Sequence, residues 1–143
     1  MELIIKHYSA LSADEVYDIL QARAQVFVLE QVCPYLDPDG TDRDATHVML
    51  RDESGLAAYL RVTRLDDSTA KIGRVLTIRR GQGLGLPLLE AGIREARKLP
   101  GVTSIYIEAQ SYAVGFYEKA GFRVEGDEFL EDCIPHKGMR LML

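Results

Sequence analysis

Seven residues, Arg79-Arg80-Gly81-Gln82-Gly83-Leu84-Gly85, join a β-forming segment to a helical stripe, and they restrict this chain more than any other stretch. Glycines between a strand and a helix let the backbone come close to a ligand. The helix start behind them offers unpaired N–H groups and a partial positive charge, so phosphate is the expected guest. A Walker loop needs Gly-Lys-Ser/Thr after its glycines, and Leu84-Gly85-Leu86 stands there instead. A Rossmann fingerprint starting at Gly81 needs glycine at position 86, which is Leu86, and the strands before the loop read as antiparallel rather than as part of a βαβ unit.

The rest of the chain supplies the setting. Glu2 to Tyr8 reads as a strand. Ser12 and Glu15 form a capping box, followed by helical spacing at Val16, Ile19, Leu20, Arg23, Val26 and Phe27 that predicts a helix ending near Glu30. Pro34 and Pro38 open an acidic loop that runs through Asp44. Thr46–Arg51 and Leu56–Leu65 read as a hairpin, and Asp66-Asp67-Ser68 turns the chain into a third antiparallel strand, Ala70–Ile78. Leu86, Leu89, Ile93 and Ala96 form the stripe of a helix that Pro100-Gly101 stops. Thr103–Ala109 reads as a strand, and Ser111–Ala120 as a helix capped by Gly121. Phe122–Val124 and Met139–Leu143 read as a closing antiparallel pair. The order predicts one α/β domain over residues 1–143, with helices on a mixed sheet.

Composition removes several function classes. A net charge of −5 argues against nucleic acid, whose binders concentrate Lys and Arg. No apolar run approaches the ~18 residues of a membrane span, and the first residues lack the apolar stretch of a signal peptide. Cys33 and Cys133, far apart, suggest neither a disulfide framework nor a metal pair, so two reduced thiols in the cytoplasm are expected. An EF-hand beginning at Asp37 would place glycine at position 42 and glutamate at position 48; Asp42 and Val48 stand there, and no metal site is expected.

Arg80-Gly81-Gln82-Gly83-Leu84-Gly85 resembles the Q/R-x-x-G-x-G/A pyrophosphate loop of the GNAT family of acyl-CoA N-acyltransferases. Phe116-Tyr117-Glu118-Lys119-Ala120-Gly121-Phe122 resembles the FYxKxGF segment after that family's fifth strand. Three further stretches are similar to its ElaA-type branch. They are Arg23 to His47, with Val26-Phe27-Val28-Leu29-Glu30-Gln31 and Cys33-Pro34-Tyr35; Ile72-Gly73-Arg74-Val75 with Ala109-Gln110; and Phe129 to Met139, with Ile134-Pro135-His136. The likeness spans residues 23–139. Cys133 departs from the usual glycine, Glu108 replaces a small residue, Gln110 replaces the general asparagine, and the stretch between Val75 and Arg80 is about two residues short.

The resemblance implies the GNAT fold, a mixed and mostly antiparallel sheet flanked by helices, and direct acetyl transfer from acetyl-CoA to an amine. The pyrophosphate would rest on the amides from Gly81 to Leu86, through Gln82, Gly83, Leu84 and Gly85, with Arg79 or Arg80 near phosphate and Gln110 also on the cofactor. Val75, Leu76 and Thr77 would polarise the thioester carbonyl through their amides. Tyr117 would protonate the departing thiolate. For the base, Glu108 leads a set that includes Glu30, His47, Glu131, Asp132 and His136. Glu30, His47, Glu131 and His136 are expected at the acceptor, where an acidic Asp37–Asp44 loop would add to a field that draws cations. A degenerate acyl-CoA-binding module and an acyl-homoserine-lactone-synthase-like acyltransferase are the alternatives. Paired domains are common in the family, so a homodimer stays open.

Overall fold

A computed structural model describes all of residues 1–143. Seven strands form one sheet: β1 (Glu2–His7), β2 (Thr46–Asp52), β3 (Gly55–Arg64), β4 (Thr69–Thr77), β5 (Ser104–Gln110), β6 (Arg123–Glu131) and β7 (Ile134–Met142). Their spatial order is β1-β2-β3-β4-β5-β7-β6, antiparallel throughout except between β4 and β5. Three helices cover it: α1 (Ala13–Arg23), α2 (Gly85–Arg97) and α3 (Val114–Lys119).

Local chemistry accounts for the element ends. The Ser12 hydroxyl accepts from the Glu15 amide at 3.1 Å while Glu15 accepts from the Ser12 amide at 2.8 Å, which starts α1. The expected helix does not continue unchanged to Glu30: α-geometry ends at Arg23, and Ala24–Glu30 is a π-helix. The closing strands are also longer than expected, nine residues each, because β6 carries exposed residues from Arg123 to Glu128 and gives no alternating pattern to read.

Two apolar layers sandwich the sheet. On one face, Leu60, Val62, Ile72, Ile105, Ile107 and Met139 pack beneath Leu88, Leu89 and Ala96 of α2 and beside Tyr117 and Phe122. On the other, Ile19, Ala22 and Val26 cover Met49, Tyr59 and Leu76. Strand β3 is covered on both sides, which is why Leu56–Val62 is buried without a break. Helix α2 lies close to the sheet at Gly92, where an added Cβ would stand 3.0 Å from both δ-carbons of Leu60 and 3.3 Å from Ile72 Cδ1. Gly92→Val should therefore cost about 1–3 kcal/mol through overpacking. Urea unfolding checks this: a lower midpoint at constant m is expected, and an unchanged midpoint would mean that α2 lifts off the sheet freely.

Candidate active site

The parallel pairing of β4 with β5 is confined to Thr69–Lys71 and Ser104–Tyr106. Past those residues the two strands run on to Thr77 and Gln110 without pairing, and a cleft of about 590 Å³ opens between them. On the β3 side of β4, Arg61 pairs with Gly73 and Tyr59 with Leu76, so two residues, Arg74 and Val75, stand opposite one. That is a β-bulge, with Arg74 held at φ 54°, and it interrupts the ladder where β4 lines the cleft. Val75, Leu76 and Thr77 all line it.

The glycine loop lies at one end. Gly81 and Gly83 adopt φ of 78° and 69°, a backbone region that side chains disfavour, and a Cβ at either would meet only open space. Gly85 begins α2 in close contact with Phe116, whose Cζ would lie 3.2 Å from an added Cβ. No side chain caps α2, so its first amides are left for another partner. Arg80 and Gly85 line the cleft, whereas Arg79 is held away by Asp52, which accepts from its Nε and Nη2 at 2.9 and 3.0 Å.

Tyr117 enters the cleft from α3 beside Phe116 and packs edge-on between Phe116 and Phe122, with ring centroids 5.1 and 6.0 Å away. Burial pushes its hydroxyl pKa above the ordinary tyrosine value, so the proton stays on oxygen through the working pH range.

Strand register determines the opposite end. Lys71 pairs with Tyr106, so by alternation it shares a sheet face with Glu108 and Gln110. His136 stands opposite both Gln110 and Phe129, which brings it and Glu131 to that face as well. Lys71, Glu108, Gln110, Glu131 and His136 all line the cleft. Glu108 accepts from Lys71 Nζ at 2.7 Å, Gln110 accepts from Gln31 Nε2 at 3.3 Å, and His136 Nδ1 donates to the Ile134 carbonyl at 2.7 Å. Lys71 was not singled out from the sequence, because its partner is 37 residues away.

Two expected acceptor residues lie elsewhere. Glu30 pairs with Arg80 at the end of the π-helix, on the glycine-loop side. His47 is buried outside the cleft, with Nδ1 at 2.7 Å from the Tyr59 hydroxyl and Nε2 at 2.9 Å from the Asp42 carbonyl; burial lowers its pKa. The acidic loop is not a free negative field either. Asp37 and Asp42 hold Arg23, Asp39 and Asp42 hold Arg61, and Arg74 Nε lies 2.8 Å from Asp37, off the axis of a hydrogen bond. Cys33 and Cys133 are distant in sequence, but Cys33 Sγ donates to the carbonyl of Asp132 at 2.6 Å. Cys133 holds φ 68° in a two-residue hairpin turn whose other residue, Asp132, is at 48°, the geometry for which glycine is the easiest occupant.

Residues 11–143 match the model of the acetyltransferase (GNAT) domain family. Protein ElaA of Escherichia coli strain K12 is 36% identical over 139 residues, covering 93% of this chain and 91% of ElaA. The crystal structure of Escherichia coli ElaA superposes with a TM-score of 0.92 at 34% identity, covering 99% of each chain. That of an acyl-CoA N-acyltransferase from Pseudomonas aeruginosa gives 0.91 at 37%, again over 99% of each. With a splayed sheet, a glycine loop and matches of this extent, the chain belongs to the GNAT acyltransferase family, in its ElaA-like branch.

Proposed function

We propose that the chain transfers acetyl from acetyl-CoA directly to a primary amine. The observation that carries this reading is the cleft between β4 and β5, which has the glycine loop and Tyr117 towards one end and the Lys71–Glu108–Glu131–His136 face at the other. The pyrophosphate rests on the amides of Gly81 to Gly85, with Arg80 beside it. Gln110, expected on the cofactor, instead shares the sheet face of Glu108 and His136 and accepts from Gln31 Nε2. The thioester lies along the bulged segment, where the amides of Val75, Leu76 and Thr77 are the candidates to receive the developing oxyanion. The amine approaches over the acidic face and attacks the carbonyl carbon. The C–S bond breaks, and the thiolate takes a proton from Tyr117. A free thiol pKa of about 8.5 makes this departure easy with modest acid help.

Thiol release from acetyl-CoA across a panel of small amines, peptide N-termini and lysine peptides tests the reaction; no release above the hydrolytic background with any of them would overturn it. The cofactor half is tested separately. Acetyl-CoA at a hundredfold excess over its Kd should stabilise the native state by about 2.7 kcal/mol. Gly83→Asp, which brings bulk and negative charge to the loop, should abolish that thermal shift. Equal shifts in variant and wild type would remove the loop from the cofactor site.

A further inference from the structure

We infer that Glu131 is the group that takes the ammonium proton of the acceptor, with Glu108 and Lys71 serving as its fixed electrostatic partners. This assignment rests on the acetyl-transfer reading above and adds the base that reading leaves open.

The carboxylates on the acceptor face differ in what already holds them. Glu108, on β5, is tied to Lys71 of β4 at 2.7 Å, so its charge is answered within the protein. Glu131 ends β6, one residue before the Asp132-Cys133 turn, and its half-buried carboxylate lines the cleft with no hydrogen bond and no ion pair. A partly desolvated carboxylate without a partner costs free energy in the resting protein. That cost falls when a cation arrives. An incoming ammonium supplies both the missing donor and the missing charge.

The charged and titratable groups around Glu131 come from each neighbouring strand: Glu108 and Tyr106 of β5, Lys71 of β4, His136 of β7 and Asp132 in the turn. Burial and the repulsion of Glu108 raise the Glu131 pKa from the usual carboxylate value, and His136 and Lys71 oppose that rise. A base moved in this direction holds a proton better than an exposed glutamate does. The step balances: an N–H bond of the ammonium breaks and an O–H bond forms on Glu131. The freed lone pair attacks the thioester carbon, and sulfur leaves with the C–S electrons and takes the Tyr117 proton. The second N–H bond of the now cationic nitrogen breaks to give the neutral amide, its proton restoring the Tyr117 hydroxyl through solvent. Glu131 returns its own proton to solvent after amide release.

This assignment predicts two different pH profiles. When Glu131 removes the proton, kcat/KM towards n-butylamine with saturating acetyl-CoA should be level between the Glu131 pKa and the amine pKa. In Glu131→Gln only the free amine can react, so log kcat/KM should climb by one per pH unit over the same range. The variant should lie about 10²–10⁴-fold below wild type at pH 7, the usual yield of general base catalysis, and the gap should close as pH rises. Glu108→Gln should keep the level profile. A Glu131→Gln profile parallel to that of wild type would overturn the assignment.

A second measurement needs no turnover. The carboxyl ¹³C resonance absent from Glu131→Gln identifies Glu131, and its titration midpoint should lie above the ordinary glutamate value of about 4.3. A midpoint at or below that value would overturn the assignment. If n-butylamine is not acetylated although acetyl-CoA binds, the transfer reading fails for that amine, and a Glu131 midpoint at or below the ordinary value overturns the base assignment independently of it.

Discussion

Tyr117→Phe should lower kcat by about 10²–10⁴-fold while leaving acetyl-CoA affinity nearly intact, the range that removal of a positioned general acid gives. The argument rests on what the substitution keeps. Phenylalanine retains the edge-on contacts to Phe116 and Phe122 and the place of residue 117 in the core, so folding should be unaffected. It removes one O–H from the wall of the cleft. Burial raises the pKa of that hydroxyl, so it is protonated at every pH at which the enzyme would work, and an acid must be protonated to act. Thiol release in single turnover, with chemistry limiting, is the measurement. An unchanged rate would reduce Tyr117 to a packing residue of α3, and a large rise in acetyl-CoA Kd would assign it to binding.

The sequence is most informative where a local rule fixes the outcome. The Ser12–Glu15 box, the positive φ at Gly81 and Gly83, and the cap at Gly121 follow from residues within a few positions of one another. The sheet face of Glu108 follows from its alternation with Ile105 and Ile107. Expectations weaken wherever a distant partner decides. Nothing near Glu30 in the chain announces that Arg80 will pair with it, and nothing near His47 announces Tyr59 and the Asp42 carbonyl. The widening to π-geometry at Ala24 leaves the apolar spacing almost unchanged, so periodicity cannot report it. The acidic loop gives the clearest case. As a sequence, Asp37 to Asp44 reads as negative charge in water; in the fold, arginines from α1, β3 and β4 answer three of its four aspartates.

That answered charge makes Arg23 the expected weak point of the fold. Its side chain is fully buried; Nε donates to Asp37 Oδ2 at 2.7 Å, Nη1 to Asp42 Oδ1 at 2.6 Å and Nη2 to the Asp37 carbonyl at 3.2 Å. Arg23→Met fills a similar volume and removes all three donors, leaving Asp37 buried with only Arg74 and Tyr35 near its carboxylate. Removing one partner of a buried pair costs about 3–5 kcal/mol, because the other charge remains without its answer. For a chain of this size the expected fall in Tm is roughly 10–15 °C. Arg23→Lys should recover little of it, since one ammonium cannot replace a planar fork that serves two carboxylates.

The pH dependence separates lost charge from lost packing. Burial alone would raise the pKa of Asp42, but hydrogen bonds from Arg23 and Arg61 outweigh it and hold the group below the usual carboxylate range. A depressed carboxylate pKa contributes stability that is present above the unfolded value of about 3.9 and is lost as pH falls through the folded value. Wild type should therefore lose stability in acid as this network protonates. In Arg23→Met, Asp42 keeps only Arg61, its pKa moves back up, and protonation relieves a charge instead of breaking a pair. The stability gap between variant and wild type should thus narrow below about pH 4. Urea unfolding of both proteins from pH 7 down to pH 3 measures it. A gap that stays constant with pH would show that Arg23 acts by filling space, and that the aspartates of the loop are held by Arg61 and Arg74 without it.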